Sequence, residues 1–449
     1  MRGNLSRSSG AVRRRAGYRT FGVVVAALAT IIGTILASVP GVPARPGGSV
    51  AASPGMTGAA ARAAAVLLDR RARALRDADR SGWLAGIDPA ATDFRTRQDV
   101  VFDRLAAVPV TGWRYTVLGP ASGKVAGEVA GEAAGNGSAA GPAVVLRVRL
   151  TYRLAPDTRD LSRVQFLTVR YRPAGWVLVS DRDGPTERDL WDLGPVTVTR
   201  GAHVLVVAAT STGLSAQVAA DAGTAVTRVG RVWDAGWPRT VVVLVPADLT
   251  AFAGLVSRSG DAGSLSGVAA VTTGPLDRDP RGRTPPAGTA DRVILNATAY
   301  RALTPLGREV VLTHELTHVA TRAAAVVAPP AWLEEGLADY IAFLGTGLDP
   351  RVIARDALAE AARGHLPATL PGPERFDTSR GLGETAYQQA WLACRLVAGD
   401  DPARLIRFYR EVTAMDPPSG VLSGRDPHAL RAGAFREVLG GDEEWFLRQ

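Results

Sequence analysis

The residues best able to do chemistry stand together in one short stretch, His314-Glu315-Leu316-Thr317-His318. On an α-helix, side chains four positions apart lie on one face, one above the other. His314 and His318 therefore present two imidazoles towards a common point, and two neutral imidazoles at that spacing can hold one Zn2+. Glu315 stands beside them, close enough to act on a water carried by the metal. The chemistry of such a set is metal-assisted hydrolysis. The ion lowers the pKa of its water towards about 7 and polarises a carbonyl, while the carboxylate takes the proton and passes it to the leaving group.

The flanks of this stretch read as helix. Pro305 suits a first helical position. Leu312, Leu316, Val319 and Ala323 recur at three- and four-residue spacings as an apolar stripe. The class of site depends on a third ligand. The pattern HExxHxxGxxH would need glycine and a further histidine where this chain has Thr321 and Ala324, so that arrangement is excluded. Downstream the chain reads Trp332-Leu333-Glu334-Glu335-Gly336-Leu337-Ala338-Asp339-Tyr340. Taken alone, Glu334 and Glu335 suit a solvated helix start favoured by the helix dipole. Beside two ligating histidines they are also a source of the third ligand. Asp339 lies one turn past Glu335, and a ligating imidazole needs an acceptor for its other N–H.

At these residues the chain resembles the gluzincins, the zinc peptidases that include the thermolysin and aminopeptidase N groups. In them a second helix supplies a glutamate ligand, often within a Trp-Leu-x-Glu-Gly-x-Ala pattern, matched here by Trp332, Leu333, Glu335, Gly336 and Ala338. The resemblance implies that His314, His318 and Glu335 bind Zn2+, that Glu315 activates the zinc-bound water, and that Asp339 orients a ligating histidine. It also implies an oxyanion-binding tyrosine on a later helix, for which Tyr387 in Thr385–Trp391 is the candidate, with Glu384 a candidate for a substrate amine. The implied activity is peptide-bond hydrolysis. The Gly-x-Met-Glu-Asn motif by which aminopeptidases of this group grip a free N-terminus has no counterpart, since the three methionines are Met1, Met56 and Met415. An endopeptidase is therefore expected ahead of an aminopeptidase. Two other readings stand beside it: an inactive relative that binds peptide or cell-wall components, and an anchored structural protein. His203, His365 and His428 have no partner at ligand spacing and are expected to be ordinary histidines. Cys394 reads as an apolar filler.

The elements that must position these residues divide into zones. From residue 193 to 449 strands come first and helices later, which suggests an α+β unit. Strand signals cover Val196–Ala208, Thr240–Val245, Gly267–Thr273 and Arg292–Leu295, with a helix over Ser215–Trp233 and mostly helix from Pro305 onwards. Gly267–Thr273 is a candidate edge strand for extended peptide. Residues 61–192 read as helices on an antiparallel sheet. Helices are expected over Ala61–Asp79 and Arg95–Ala107, and strands over Gly112–Leu118, Ala143–Arg153, Gln165–Tyr171 and Trp176–Asp181. Ala121–Pro142 is Gly/Ala/Glu-rich and reads as a surface loop. The order of elements in 61–192 resembles small cystatin-like or nuclear-transport-factor-like domains, which implies a spacer or binding module. Residues 40–60 read as a linker.

Ahead of that linker, Phe21–Val39 is uncharged and follows a basic leader, residues 1–20. At ~1.5 Å per residue the run reaches about 28 Å, close to the hydrocarbon core of a bilayer. The arginines before it are expected to stay in the cytoplasm. Either a retained anchor or a cleaved signal peptide follows, and both place the rest of the chain outside the cytoplasm: membrane-bound by a single pass, or secreted.

Composition narrows the alternatives. The chain has 449 residues with 46% hydrophobic and 21% charged, which excludes a disordered chain. Its single cysteine excludes an internal disulfide and a cysteine-only metal cluster. The formal charge is +9, but residues 1–45 hold seven arginines and no acid. The remainder is close to neutral, so no nucleic-acid partner is expected.

Overall fold

The computed structural model describes residues 54–121, 141–234, 236–256, 262–274, 290–323, 325–376, 383–414 and 427–449. They fall into two compact units divided between Val198 and Thr199. The expected membrane run Phe21–Val39 and nearly all of the expected loop between the first two strands lie outside the described residues. Among the described residues, no helix is long and apolar enough to cross a membrane.

The first unit runs α1 (Pro54–Arg76), α2 (Arg80–Leu84), α3 (Thr92–Ala107), β1 (Val110–Pro120), β2 (Ala143–Leu154), β3 (Leu161–Arg172) and β4 (Gly175–Ser180). Its four strands form an antiparallel meander in sequence order. Alternation of side chains along β2 is the reason for that layer. Leu146, Val148, Leu150 and Tyr152 are buried, whereas Arg147 and Arg149 are exposed. Gly175, at φ +118°, closes the β3–β4 hairpin in a region that side chains with a Cβ avoid. The core is aromatic: Trp113 packs 5.8 Å from Tyr152, and Tyr152 5.3 Å edge-on to Trp191. One boundary is corrected. Residues from Pro54 onwards, expected to be linker, are the first turns of α1. Their alanines carry little periodic signal, but Ala60 and Ala64 are buried and hold the helix to the unit.

The second unit is also α+β. It runs β5 (Thr197–Arg200, beginning two residues before the division), β6 (Val204–Ala208), α4 (Thr212–Val232), β7 (Val241–Val245), α5 (Leu249–Val256), β8 (Ala270–Thr273), β9 (Arg292–Leu295), α6 (Ala297–Ala302), α7 (Pro305–Arg322), α8 (Ala331–Phe343), α9 (Arg355–Ala362), α10 (Gly383–Ala398), α11 (Pro402–Thr413) and α12 (Pro427–Ala434). The sheet order is β5-β6-β7-β9-β8. β6, β7 and β9 are parallel, and β8 is antiparallel to β9. Every side chain of β6 and β7 is buried, as parallel strands covered on both faces require. Val196–Ala208, expected as one strand, is two, because the chain turns at residues 201–203 and Gly201 N–H bonds Val204 O at 2.8 Å. Helices α5 and α6 were not expected. One is almost wholly apolar and the other has six residues, so neither displays a helical period.

Asp221 on α4 ties three helices together. Its Oδ2 accepts from the Tyr300 hydroxyl of α6 at 2.7 Å and from Arg308 Nε of α7 at 3.2 Å. These bonds fix α7 against α4.

Candidate metal centre

Helix α7 carries the HExxH residues. The Thr304 hydroxyl oxygen caps it by accepting from Gly307 N at 3.1 Å, and Pro305 occupies the first turn. Such a cap contributes about 1 kcal/mol. From Val310 to Thr321 every residue is buried. A buried helix must satisfy its hydroxyls, and it does so internally. Thr313, Thr317 and Thr321 each donate to the carbonyl one turn earlier, at 2.7, 2.8 and 2.9 Å.

Helix α8 packs between α7 and α10. Gly336 is what allows it. A Cβ there would stand 2.4 Å from Ala390 O and 2.7 Å from Cys394 Sγ, both on α10. Cys394 is a free, fully buried thiol in that contact, as expected of an apolar filler. Burial pushes its ionisation well above the ordinary thiol range.

This packing brings Glu335 onto the histidines of α7. Nε2 of His314 and Nε2 of His318 are 3.0 Å apart. Glu335 Oε2 lies 3.3 Å from the first and 3.6 Å from the second. The three residues offer ligand atoms within 4.8 Å of one another, and all three are buried. They can hold a metal ion. Donor atoms ~2.0–2.1 Å from a tetrahedral zinc stand about 3.3 Å apart, the size of this triangle. Both Glu335 carboxylate oxygens are buried without a hydrogen-bond partner, as is His318 Nδ1. A buried carboxylate left so is costly unless a cation completes its surroundings. The donor set and its unmet polar atoms fit a divalent metal.

Asp339, one turn further along α8, places Oδ1 2.8 Å from His314 Nδ1. A proton on Nδ1 held by this carboxylate leaves the Nε2 lone pair facing Glu335 and His318. The electrostatics follow from burial opposed by charge. Desolvation alone would drive His314 neutral, but Asp339 and Glu335 outweigh it and raise its pKa well above the usual value. Desolvation would raise Glu335, yet His318 and His314 pull it down to about 2. At Asp339 desolvation prevails over His314, and its pKa is raised. The carboxylates that favour a proton on the imidazoles favour a metal cation in its place.

Glu315, which follows His314 on α7, is also buried. Its Oε2 accepts from the Thr272 hydroxyl of β8 at 2.7 Å, and the same hydroxyl lies 3.0 Å from Glu315 O. The sequence pattern did not single out Thr272. Its only signal was the pair Thr272-Thr273 at the end of an otherwise apolar stretch. Tyr387 on α10 is buried with its ring 6.3 Å from that of His314, and Phe376 packs edge-on to it at 5.0 Å. Glu384 stands in the first turn of α10 with its side chain largely open to solvent, and partial desolvation together with the charge of Asp356 raises its pKa. Glu334 Oε1 is 4.0 Å from His318 Nδ1, beyond hydrogen-bond range. His203, His365 and His428 are exposed and apart from this cluster, His365 pairing with Glu360 at 2.8 Å.

In comparisons with known proteins, no family model matches the chain and no curated protein matches it. The site's own geometry therefore carries the functional argument.

Proposed function

We propose that the second unit is a zinc-dependent peptide-bond hydrolase of the gluzincin kind, acting outside the cytoplasm. One observation carries the reading. Three buried ligand atoms form a zinc-sized triangle on two helices, and a separate buried carboxylate, Glu315, adjoins one of the ligands in sequence. A His2Glu donor set suits zinc among the available metals. Bound there, zinc would polarise the scissile carbonyl and lower the pKa of a water.

The remaining roles belong to this chain's residues. Asp339 keeps the Nδ1 proton on His314, so that Nε2 is the ligating atom. Glu315 takes the proton of the attacking water and returns it to the nitrogen of the departing amine. The Tyr387 hydroxyl donates to the oxyanion of the tetrahedral intermediate. Among the described residues β8 has a neighbouring strand on one side, β9, and the other side suits pairing by extended peptide. The absent Gly-x-Met-Glu-Asn motif favours endopeptidase over aminopeptidase activity.

The test is digestion of an unbiased peptide library by the metal-loaded protein, with and without chelator. Cleavage that disappears with chelation and returns with zinc supports the reading. Bound zinc with no cleavage of any peptide would favour a peptide- or cell-wall-binding relative instead.

A further inference from the structure

Thr272 is a buried polar residue flanked in sequence by Val271 and Thr273. It lies on β8 after Ala270 and Val271, and Val293 of β9 is its partner across the ladder. It is 7% exposed. Strand formation does not call for its hydroxyl, since valine has the same branching and an equal preference for a pleated, half-buried surface. The hydroxyl instead spans from the sheet to α7, within bonding distance of both Oε2 and the main-chain oxygen of Glu315.

We infer that Thr272 is a positioning residue for Glu315. The inference rests on the hydrolytic reading of the site. A glutamate carboxylate turns about a soft terminal torsion, and a general base must sit within hydrogen-bond reach of the proton that it takes. A hydroxyl on Oε2 removes that freedom and turns Oε1 towards the reacting water. The threonine keeps its own proton. The water proton moves to Oε1 as the carbon–oxygen bond forms, then to the amine nitrogen as the carbon–nitrogen bond breaks. The strand proposed to pair with substrate thus also carries the group that orients the base.

The experiment compares Thr272→Val and Thr272→Ser with the parent full-length protein. It reads zinc content, thermal stability, kcat and KM on a peptide that the parent cleaves, and the crystal structure of each zinc-loaded protein. Thr272→Val should keep one zinc and its fold, lose about 10- to 100-fold in kcat with KM within about threefold, and show the Glu315 carboxylate displaced or split between two positions. Thr272→Ser, which restores the hydroxyl, should recover to within about threefold of the parent and show a single Glu315 position. A Thr272→Val protein with unchanged kcat, with an undisplaced Glu315, or with serine as slow as valine would overturn the inference. If the parent cleaves no peptide, the peptidase reading fails by itself, and the position of Glu315 in the two variant structures still decides the role of Thr272.

Discussion

Nδ1 of His314 and Oδ1 of Asp339 meet at 2.8 Å across the two helices that bring the candidate ligands together. With a metal bound, this bond would keep the proton on Nδ1 and leave Nε2 to face the ion. Replacing Asp339 with alanine should weaken zinc binding by about 10- to 100-fold without abolishing it, the usual effect of losing such a partner. Competition titration against a chelator of known affinity measures this directly. Affinity equal to the parent's would show that the bond does not prepare His314 for the metal.

Substitution of the ligands themselves should have a sharper outcome. His314→Ala, His318→Ala and Glu335→Ala should each abolish stoichiometric zinc, because each removes a corner of the triangle. Glu334→Ala should retain it, since the Glu334 carboxylate stands 4.0 Å from His318 and outside the triangle. Metal analysis after dialysis discriminates the two glutamates. The reverse result would put the ligand one residue earlier on α8.

Glu315→Gln separates catalysis from binding. The amide keeps the size of the side chain and can still accept from Thr272, but it cannot take a proton. Zinc content and fold should be retained while hydrolysis falls by at least ~10²–10⁴-fold. Tyr387→Phe should cost about 10²–10³-fold, as for loss of one oxyanion donor. Peptide cleavage by Glu315→Gln at the parent's rate would refute the mechanism.

The metal-free protein should respond to pH in a direction set by His314. Its folded pKa is raised above the ordinary 6.5. Its contribution to stability is therefore complete below about pH 6.5 and lost as pH rises through the folded value. Glu335, lowered from 4.5 to about 2, contributes in the opposite sense: fully above pH 4.5, and lost as pH falls towards 2. With chelator present, the melting temperature should decline from about pH 7 into the alkaline range. Saturating zinc should remove that decline, because the cation takes the place of the proton. A metal-free protein that gains stability from pH 7 to 9 would contradict this account.

Gly336→Ala tests the packing that assembles the site. The added methyl would meet the Ala390 carbonyl oxygen at 2.4 Å, so α8 must move away from α10. Overpacking of this kind typically costs about 1–3 kcal/mol. Displacing α8 also displaces Glu335. Lower stability in denaturant titration together with weaker zinc affinity is expected. Unchanged values of both would show that the interface yields without cost.

What could be read from the sequence was whatever depends on positions near one another along the chain. The helix repeat makes His314 and His318 neighbours wherever they occur, and the same repeat places Asp339 one turn from Glu335. The alternation of Leu146, Val148, Leu150 and Tyr152 marks a half-buried strand in the same local way, and β9 spans the residues expected of it, Arg292–Leu295. The weakly periodic start of α1 and the short helices α5 and α6 were not legible, because contacts elsewhere in the chain, not a local pattern, hold them in helical form. Strand direction in the second sheet was not legible either, since the crossover through α4 makes β6 and β7 parallel. Tertiary packing alone decided the rest. Glu335 reaches the histidines because Gly336 lets α8 close onto α10. Thr272 and Glu315, 43 positions apart, meet because β8 lies against α7. Spacing along a helix is fixed by covalent geometry and one repeating hydrogen bond. Contacts between distant residues depend on how whole buried faces fit, and no short stretch of sequence contains that fit.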